Sequence, residues 1–336
     1  MRVVSRLADV TTREGAVLTI GFFDGVHRGH QQLAQRTAEL ARRQRARAVA
    51  VTFWPHPMAI LQPEEPLSLL TTLEEKLALL EALDTLDLVV VIPFTPDLAL
   101  QSPEAFLGSL RDRFDIRAMV EGPDFRFAHE RQGTLDWLRH VGEAGGFSVE
   151  SLEVRSGGER ISSTRIRRLV ADGQVEAAAE LLGAPYRLVG TVIQGDQRGR
   201  LLGFPTANLR VDPIKLVPGH GVYAVRAMVA GEAPATRRAV ANVGVRPTFG
   251  EGRTPLVEVH VLDATLDLYG QPLRTEWIAR LREERRFEGL EALKAQIGAD
   301  AAQVRNMLTE GGGATEDGRQ DANAQTSTEV HPYIPT

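Results

Sequence analysis

The sequence predicts an α/β protein in two parts: a domain around a parallel sheet, then a smaller antiparallel β domain that ends in helix. Three observations carry this. From residue 16 to 182, short apolar runs alternate with helical stretches, the pattern of βαβ units. After Pro185 the rhythm changes to short alternating runs split by Gly and Pro, as in an antiparallel sheet or barrel. The chain has 336 residues, 43% of them apolar and 25% charged, a folded composition long enough for two domains of the usual ~100–200 residues.

In chain order, residues 16–21 read as a buried strand. Residues 29–43 read as a helix, with Leu33, Thr37, Leu40 and Ala41 on one face. Strands at 48–53, 86–94 and 118–122 alternate with helices at 73–83 and 103–114. Gly183-Ala-Pro185 reads as the linker, giving domains of 1–184 and 185–310. Beyond it, 186–194, 206–211, 221–230, 238–245 and 256–262 read as strands, and 274–284 and 290–308 as helices. Residues 311–336 open with three glycines and are rich in polar residues, so a disordered tail is expected.

Composition removes several classes of chemistry. With no cysteine there are no disulfides, thiolate metal sites or cysteine nucleophiles. The first ten residues lack the apolar core of a signal peptide. The longest uncharged apolar run, 88–94, is far short of the ~20 residues of a membrane-crossing helix. A cytoplasmic protein without a membrane partner is expected. The net charge of −5 argues against nucleic acid as a partner. The cluster Arg42-Arg43-Gln-Arg45-Ala-Arg47 ends a helix, where cations suit the dipole.

The string Thr19-Ile-Gly-Phe-Phe-Asp-Gly-Val-His-Arg-Gly-His30 leaves a strand and enters a helix, where open α/β sheets bind ligands. Gly21, Gly25 and Gly29 allow close approach of backbone to a bulky anion, and the helix start offers free N–H groups. His27 and His30, three apart, can face one side of the first turn and donate to phosphate oxygens. The plainer alternative is a glycine turn with one histidine as cap; a second is a metal on both histidines and Asp24. About 130 residues on, Ile161-Ser-Ser-Thr-Arg-Ile-Arg-Arg-Leu169 starts a helix that ends at Gly173. Its hydroxyls, amides and one of Arg165, Arg167 or Arg168 can clamp a triphosphate.

In the second half, Gly195-Asp-Gln-Arg-Gly-Arg-Leu-Leu-Gly-Phe-Pro-Thr-Ala-Asn-Leu209 is the most specific string. Gly195, Gly199 and Gly203 make a flap able to lie over phosphates. Thr206 and Asn208 share a strand face, so both oxygens can reach one Mg²⁺. Glu258 is an acid among apolar strand residues, which either faces solvent by alternation or works as a base. His260 shares its face and is expected to be a structural partner.

Together these strings resemble the prokaryotic bifunctional riboflavin kinase/FAD synthetase family. Gly-Phe-Phe-Asp-Gly-Val-His-Arg-Gly-His is similar to the signature of HxGH nucleotidyltransferases that adenylylate flavin. Gly-Phe-Pro-Thr-Ala-Asn is similar to that of riboflavin kinases. The resemblance runs over residues 16–308 and implies a Rossmann-like domain followed by a β-barrel with a C-terminal helix. It implies phosphorylation of riboflavin to FMN by Mg·ATP, then adenylylation of FMN to FAD. The flavins would be substrates and products rather than redox cofactors. One active module, or a flavin-binding regulator without turnover, is the alternative.

By residue, the resemblance implies His27, His30 and Arg167 as adenylylation residues and Glu258 as kinase base. Gly21, Phe23, Asp24, Gly25, Gly29, Ser162, Ser163 and Thr164 would hold one ATP. Gly195, Gly199, Gly203 and Pro205 would hold the other, with Thr206 and Asn208 on its Mg²⁺. Phe53, His56, Pro57, Asp124, Phe125, Asn242 and Arg286 would bind flavin. Family members commonly have Gly where this chain has Ala128, a departure that matters only if the position needs φ > 0.

Overall fold

The structure, a computed structural model, describes all residues except 12, 196–198, 200–202, 230–235, 246–254, 265 and 309–336. The expected tail lies outside the described residues. The first half runs β1 (Arg2–Val4), β2 (Gly15–Ile20), α1 (Arg28–Gln44), β3 (Arg47–Trp54), α2 (Pro57–Leu61), α3 (Leu73–Ala82) and β4 (Leu88–Pro93). It continues α4 (Pro96–Ala99), α5 (Pro103–Arg111), β5 (Asp115–Glu121), β6 (Arg126–Phe127), β7 (Gly133–Thr134), α6 (Leu135–Gly145) and β8 (Ser148–Ser151). A small hairpin, β9 (Arg155–Ser156) and β10 (Glu159–Arg160), leads to α7 (Ser163–Ala171) and α8 (Val175–Leu182).

The main sheet has six parallel strands in the order β1-β4-β3-β2-β5-β8. Val17, Leu18, Val49, Val51, Val90 and Met119 are fully buried, because a parallel sheet is covered on both faces. α1 buries Ala34, Thr37, Ala38 and Ala41 against it. The strand order reverses at β2, whose neighbours are β3 on one side and β5 on the other. The crevice between the C-terminal ends of β2 and β5 is therefore the ligand position of a doubly wound sheet.

The second half is a closed antiparallel barrel of β11 (Tyr186–Ile193), β12 (Ala207–Val211), β13 (Gly221–Val229), β14 (Thr236–Val245), β15 (Pro255–Val261) and β16 (Pro272–Arg282). Its order is β11-β12-β15-β14-β13-β16. Alternate residues point inward: Val257, Val259 and Val261 of β15 meet Leu188, Tyr223, Val225 and Trp277 in one core. Trp277 Nε1 donates to Thr275 Oγ1 at 3.0 Å, and that hydroxyl donates to Leu188 O at 3.0 Å, so the buried polar atoms are paired. The C-terminal helix Leu290–Met307 packs Ala301 and Val304 on the outer face at Val222, Ala224 and Val240.

The expected helix at 274–284 is instead β16, the strand that closes the barrel against both β11 and β13. Leu273, Thr275 and Trp277 face inward and alternate with Arg274 and Glu276, a period-two pattern. Arg and Glu have good helix propensity, but the unpaired edges of β11 and β13 outweigh so weak a local preference.

The chain turns at Gly183, whose φ of 86° caps α8. It does not run free there. Ile166, Val170, Val175, Ala178 and Leu181 from α7 and α8 share one continuous core with the barrel interior. Gly219 N also donates to Val170 O at 3.0 Å.

Two candidate nucleotide sites

The crevice at the strand reversal is a pocket of about 530 Å³. Ile20 and Gly21 line it from the end of β2, and Glu121 and Gly122 from the end of β5. The two strings predicted to act together meet in it: Asp24, His27, Gly29 and His30 on one side, Ser162, Ser163, Thr164 and Arg167 on the other. The N-termini of α1 and α7 thus border the same cavity, each with orphan N–H groups and positive dipole.

The turn into α1 is held in an uncommon backbone shape. Phe23, Gly25 and Val26 all have positive φ, at 49°, 79° and 39°. For a β-branched valine this is unfavourable and needs support from outside. Thr71 provides it: its N–H and hydroxyl donate to Asp24 Oδ1 at 3.1 and 3.3 Å, and Gly25 N donates to Thr71 Oγ1 at 3.1 Å. Ser163 Oγ donates to Asp24 O at 2.9 Å, docking the start of α7 on the turn. Asp24 is buried, and desolvation raises its pKa while Arg167 opposes the rise. Arg167 Nε stands 3.6 Å from Asp24 Oδ2.

His27 caps α1, its Nδ1 accepting from His30 N at 3.3 Å. The proton of the neutral ring is therefore on Nε2, which is left as a donor. The two rings stack at 3.6 Å between centroids. Burial lowers the pKa of His27 to about 4 and that of His30 well below its usual value, so both are neutral near pH 7. His30 Nδ1 is buried without a hydrogen-bond partner. His56 repeats the arrangement: Nδ1 caps α2 through Met58 N at 3.2 Å, and burial lowers its pKa to about 4. Asp24 Oδ1 is taken by Thr71 and His27 Nδ1 by the helix, which leaves the metal alternative little to work with. Among the described residues no group of three or more His, Cys, Asp or Glu could hold a metal ion.

Phe23, His56, Asp124 and Phe125 also line the pocket. Gly25 faces away from it, and a Cβ there would stand 2.7 Å from Leu70 Cδ1. Phe53, one of the expected flavin contacts, lies in the sheet core, packed on Phe22, Phe94 and Phe106. Pro57 is buried as the first residue of α2. Of the three arginines of the second string, Arg167 alone lines the pocket; Arg165 pairs with Glu159 at 3.1 Å. The reading of single residues missed Phe22, Glu121 and Arg160, all lining it. Glu121 carried the signal used for Glu258, a carboxylate on an apolar strand. It is buried, accepts from Ile20 N at 3.0 Å, and its pKa is pushed up by desolvation. Ala128 has φ 65° and ψ −171°, so its position does require positive φ, in a region ordinarily reserved for glycine.

The second site lies on the outer face of the barrel. Register pairs Asn208 of β12 with Glu258 of β15, and Glu258 with Asn242 of β14, so the three form one row across adjacent strands. Glu258 points away from the core because Val257 and Val259 point into it. Thr206 precedes Asn208 by two residues on the same face. Gly195 lies against this row: a Cβ there would be 2.6 Å from Asn208 Cγ, and one at Gly199 would be 3.1 Å from Thr206 Oγ1. Gly203 has φ 84°. His260 Nδ1 donates to Pro205 O at 2.7 Å and its ring meets Phe204 edge-on, a structural partner of the loop. Arg286 is exposed in the segment after β16 and is not brought to this row by any described contact. Residues 196–198, 200–202 and 246–248 of the predicted strings lie outside the described residues.

Comparison with known proteins gives two family matches, FAD synthetase over residues 9–165 and riboflavin kinase over residues 182–308. A Bacillus subtilis bifunctional riboflavin kinase/FMN adenylyltransferase is 38% identical over 85% of this chain and 90% of its own length. The Escherichia coli K12 protein of the same description is 38% identical over 88% and 94%. Among solved structures, a Streptococcus pneumoniae chain described as a macrolide-efflux protein matches with a TM-score of 0.82 at 30% identity, covering 90% of this chain and 98% of that one. No helix among the described residues is long and apolar enough to cross a membrane.

Proposed function

The chain belongs to the bifunctional riboflavin kinase/FMN adenylyltransferase family, and from that premise we propose that it makes FMN from riboflavin and FAD from FMN, one reaction per site. The observation that carries the reading is the convergence of the His27/His30 and Ser163/Arg167 strings on one pocket at the strand reversal. We further propose a domain boundary near 184/185 and a cytoplasmic setting, where flavins and ATP are both at hand.

In the pocket, the FMN phosphate attacks the α-phosphate of ATP and pyrophosphate leaves. The enzyme supplies no nucleophile; it positions the two anions in line and offsets charge. His27 Nε2–H donates to phosphate oxygens, as does the neutral ring of His30. Arg167, held by Asp24, and the two helix N-termini add fixed positive potential. His56, Asp124 and Phe125 on the opposite wall suit the flavin end.

On the barrel, Glu258 accepts the proton of the riboflavin 5′-hydroxyl as that oxygen attacks the γ-phosphate. Asn242, next in the row, orients the flavin. The neutral oxygens of Thr206 and Asn208 suit a hard cation that keeps most of its ligands from water and phosphate, as Mg²⁺ does. When bound with ATP, Mg²⁺ neutralises phosphate charge. Gly195 and Gly199 let the flap approach these two side chains without a Cβ between.

Two variants separate the reactions. His27→Ala with His30→Ala should lower FAD formation by two orders of magnitude or more, about 3 kcal/mol, and spare FMN formation. Glu258→Gln should lower FMN formation by ~10²–10⁴-fold and spare adenylylation of supplied FMN. Loss of both products in either variant, or of neither, would contradict the assignment of one reaction to each site.

A further inference from the structure

The structure assigns to Lys215, a residue of the barrel half, a positioning role in the adenylylating pocket; the inference rests on the reading of that pocket given above. Lys215 lies between β12 and β13, and its side chain is buried. Its Nζ donates to Leu70 O at 2.5 Å and to Glu75 Oε2 at 2.6 Å. On either side, Leu69 N donates to Ile214 O at 2.7 Å and Leu216 N to Leu69 O at 2.8 Å. Leu69 and Lys215 thus form a parallel β-bridge that belongs to neither the main sheet nor the barrel.

The next residue, Thr71, holds the phosphate turn. Its N–H and hydroxyl fix Asp24 Oδ1, and its oxygen accepts from Gly25 N. Asp24 Oδ2 has no hydrogen bond and faces Arg167 at 3.6 Å. Hydrogen bonds from Lys215 to Leu70 and from the adjoining Thr71 to Asp24, then the 3.6 Å ion pair to Arg167, therefore lead from a barrel loop to the guanidinium that lines the pocket. Glu75 completes it, its Oε2 accepting from both Lys215 Nζ and Thr72 N at the start of α3.

Apolar packing covers this joint only in part: Leu70 is buried in the core shared with Leu182 and Tyr186. On the other side Leu70, Thr71, Glu75, Tyr186 and Lys215 border a solvent-open cavity of about 320 Å³, so neighbouring side chains do not enclose the segment completely. A buried ion pair in such a place contributes little net stability, and what it does supply is a defined geometry. The turn Phe23–Val26, with positive φ at Phe23, Gly25 and Val26, needs that geometry imposed from outside, because its own backbone does not favour it. Lys215 touches no reacting atom. It sets where Leu70 and Thr71 lie, and so where Asp24 and Arg167 lie. The barrel half in this way completes the pocket of the other half.

The test uses the full chain with Lys215→Met, which keeps length and volume and removes the ammonium. Both half-reactions are measured on one preparation, FMN formation from riboflavin and FAD formation from supplied FMN. The expected result is a fall of about tenfold or more in kcat of adenylylation, since misplacing a charge-bearing group by ~1 Å costs up to ~10²-fold. KM for ATP and FMN should stay within about threefold, and the kinase rate within about twofold. Lys215→Met with Glu75→Gln removes the carboxylate stranded by the single change and should remain as slow. Thr71→Val, one link nearer the pocket, should show the same split and serves if Lys215→Met does not fold. Adenylylation within about twofold of the parent, an equal fall in both half-reactions, or recovery in the double variant would overturn the role of Lys215. A parent chain that makes no FAD would overturn the reading of the pocket instead.

Discussion

Lowering the pH should unfold the amino-terminal half through its buried histidines. His27 and His56 both have their pKa brought from 6.5 to about 4 by burial. The sign follows from proton counting. Between these values the unfolded chain takes up a proton that the folded ring refuses. Stability is thus intact above about pH 6.5 and is lost as the pH falls toward 4. The full difference is roughly 3 kcal/mol per ring at ~1.4 kcal/mol per pH unit, and about 2 kcal/mol of it has gone by pH 5. Taken by themselves these two rings remove roughly 4 kcal/mol at pH 5, against the 5–15 kcal/mol typical of a domain; buried His30 adds to the loss, and the raised carboxyls of Glu121 and Asp24 oppose it. Histidine NMR titration gives the direct reading, and urea unfolding at pH 7.5 and 5.0 gives the energy. The Cε1–H signals of His27 and His56 should move with midpoints near 4. His27→Asn with His56→Asn keeps both side-chain caps and should weaken the pH dependence, leaving the part carried by His30. ATP should raise the His27 midpoint, because a nearby anion favours the charged ring. Midpoints near 6.5 in the free protein would refute the argument.

Further outcomes follow from single contacts. Gly195→Ala places a methyl 2.6 Å from Asn208 Cγ and should slow FMN formation by ~10²-fold while leaving adenylylation intact, as steady-state assays would show. Ala128→Gly relieves a backbone conformation costing ~1–3 kcal/mol at an entropic loss of ~0.5–1 kcal/mol, so denaturation should find the variant more stable by about 1 kcal/mol. A fragment of residues 162–310 keeps α7 and α8 on the barrel, whereas 185–310 loses Ile166, Val170 and Leu181 from the shared core. At ~1.5–3 kcal/mol for each buried side chain, the shorter fragment should be less stable by about 5 kcal/mol or more, measured by chemical denaturation.

The sheet domain was legible because a parallel strand buried on both faces leaves an apolar run that little else imitates, as residues 48–53 and 88–92 do. β12 to β15 were legible from Gly and Pro punctuation. β16 was not: Arg274, Glu276, Arg280 and Arg282 do fall in period two, but Arg, Glu, Ala and Leu are also good helix formers, and its role depends on edges formed far away in sequence. The histidine and serine strings announced their pocket, but not what stabilises it. Nothing in Leu69-Leu-Thr71 or Ile214-Lys-Leu216 marks two segments more than a hundred residues apart as partners, because a β-bridge is made by backbone groups that every residue carries. Phe53 left two readings open: an aromatic at a strand end fits a ligand pocket and a core alike, and here Phe53 packs in the core while Phe22 is exposed. The apparent linker at Gly183-Ala-Pro185 is a true turn in the chain, yet the apolar faces of α7 and α8 cross it into the barrel core.

One chain that carries both reactions on two sites should turn riboflavin into FAD unaided. Chromatographic analysis of products formed by the full-length protein from riboflavin, ATP and Mg²⁺ tests it most directly. FMN should appear first and FAD after it, with ADP released in the first step and pyrophosphate in the second. Flavin that binds but stays riboflavin, or FMN that accumulates without any FAD, would contradict it.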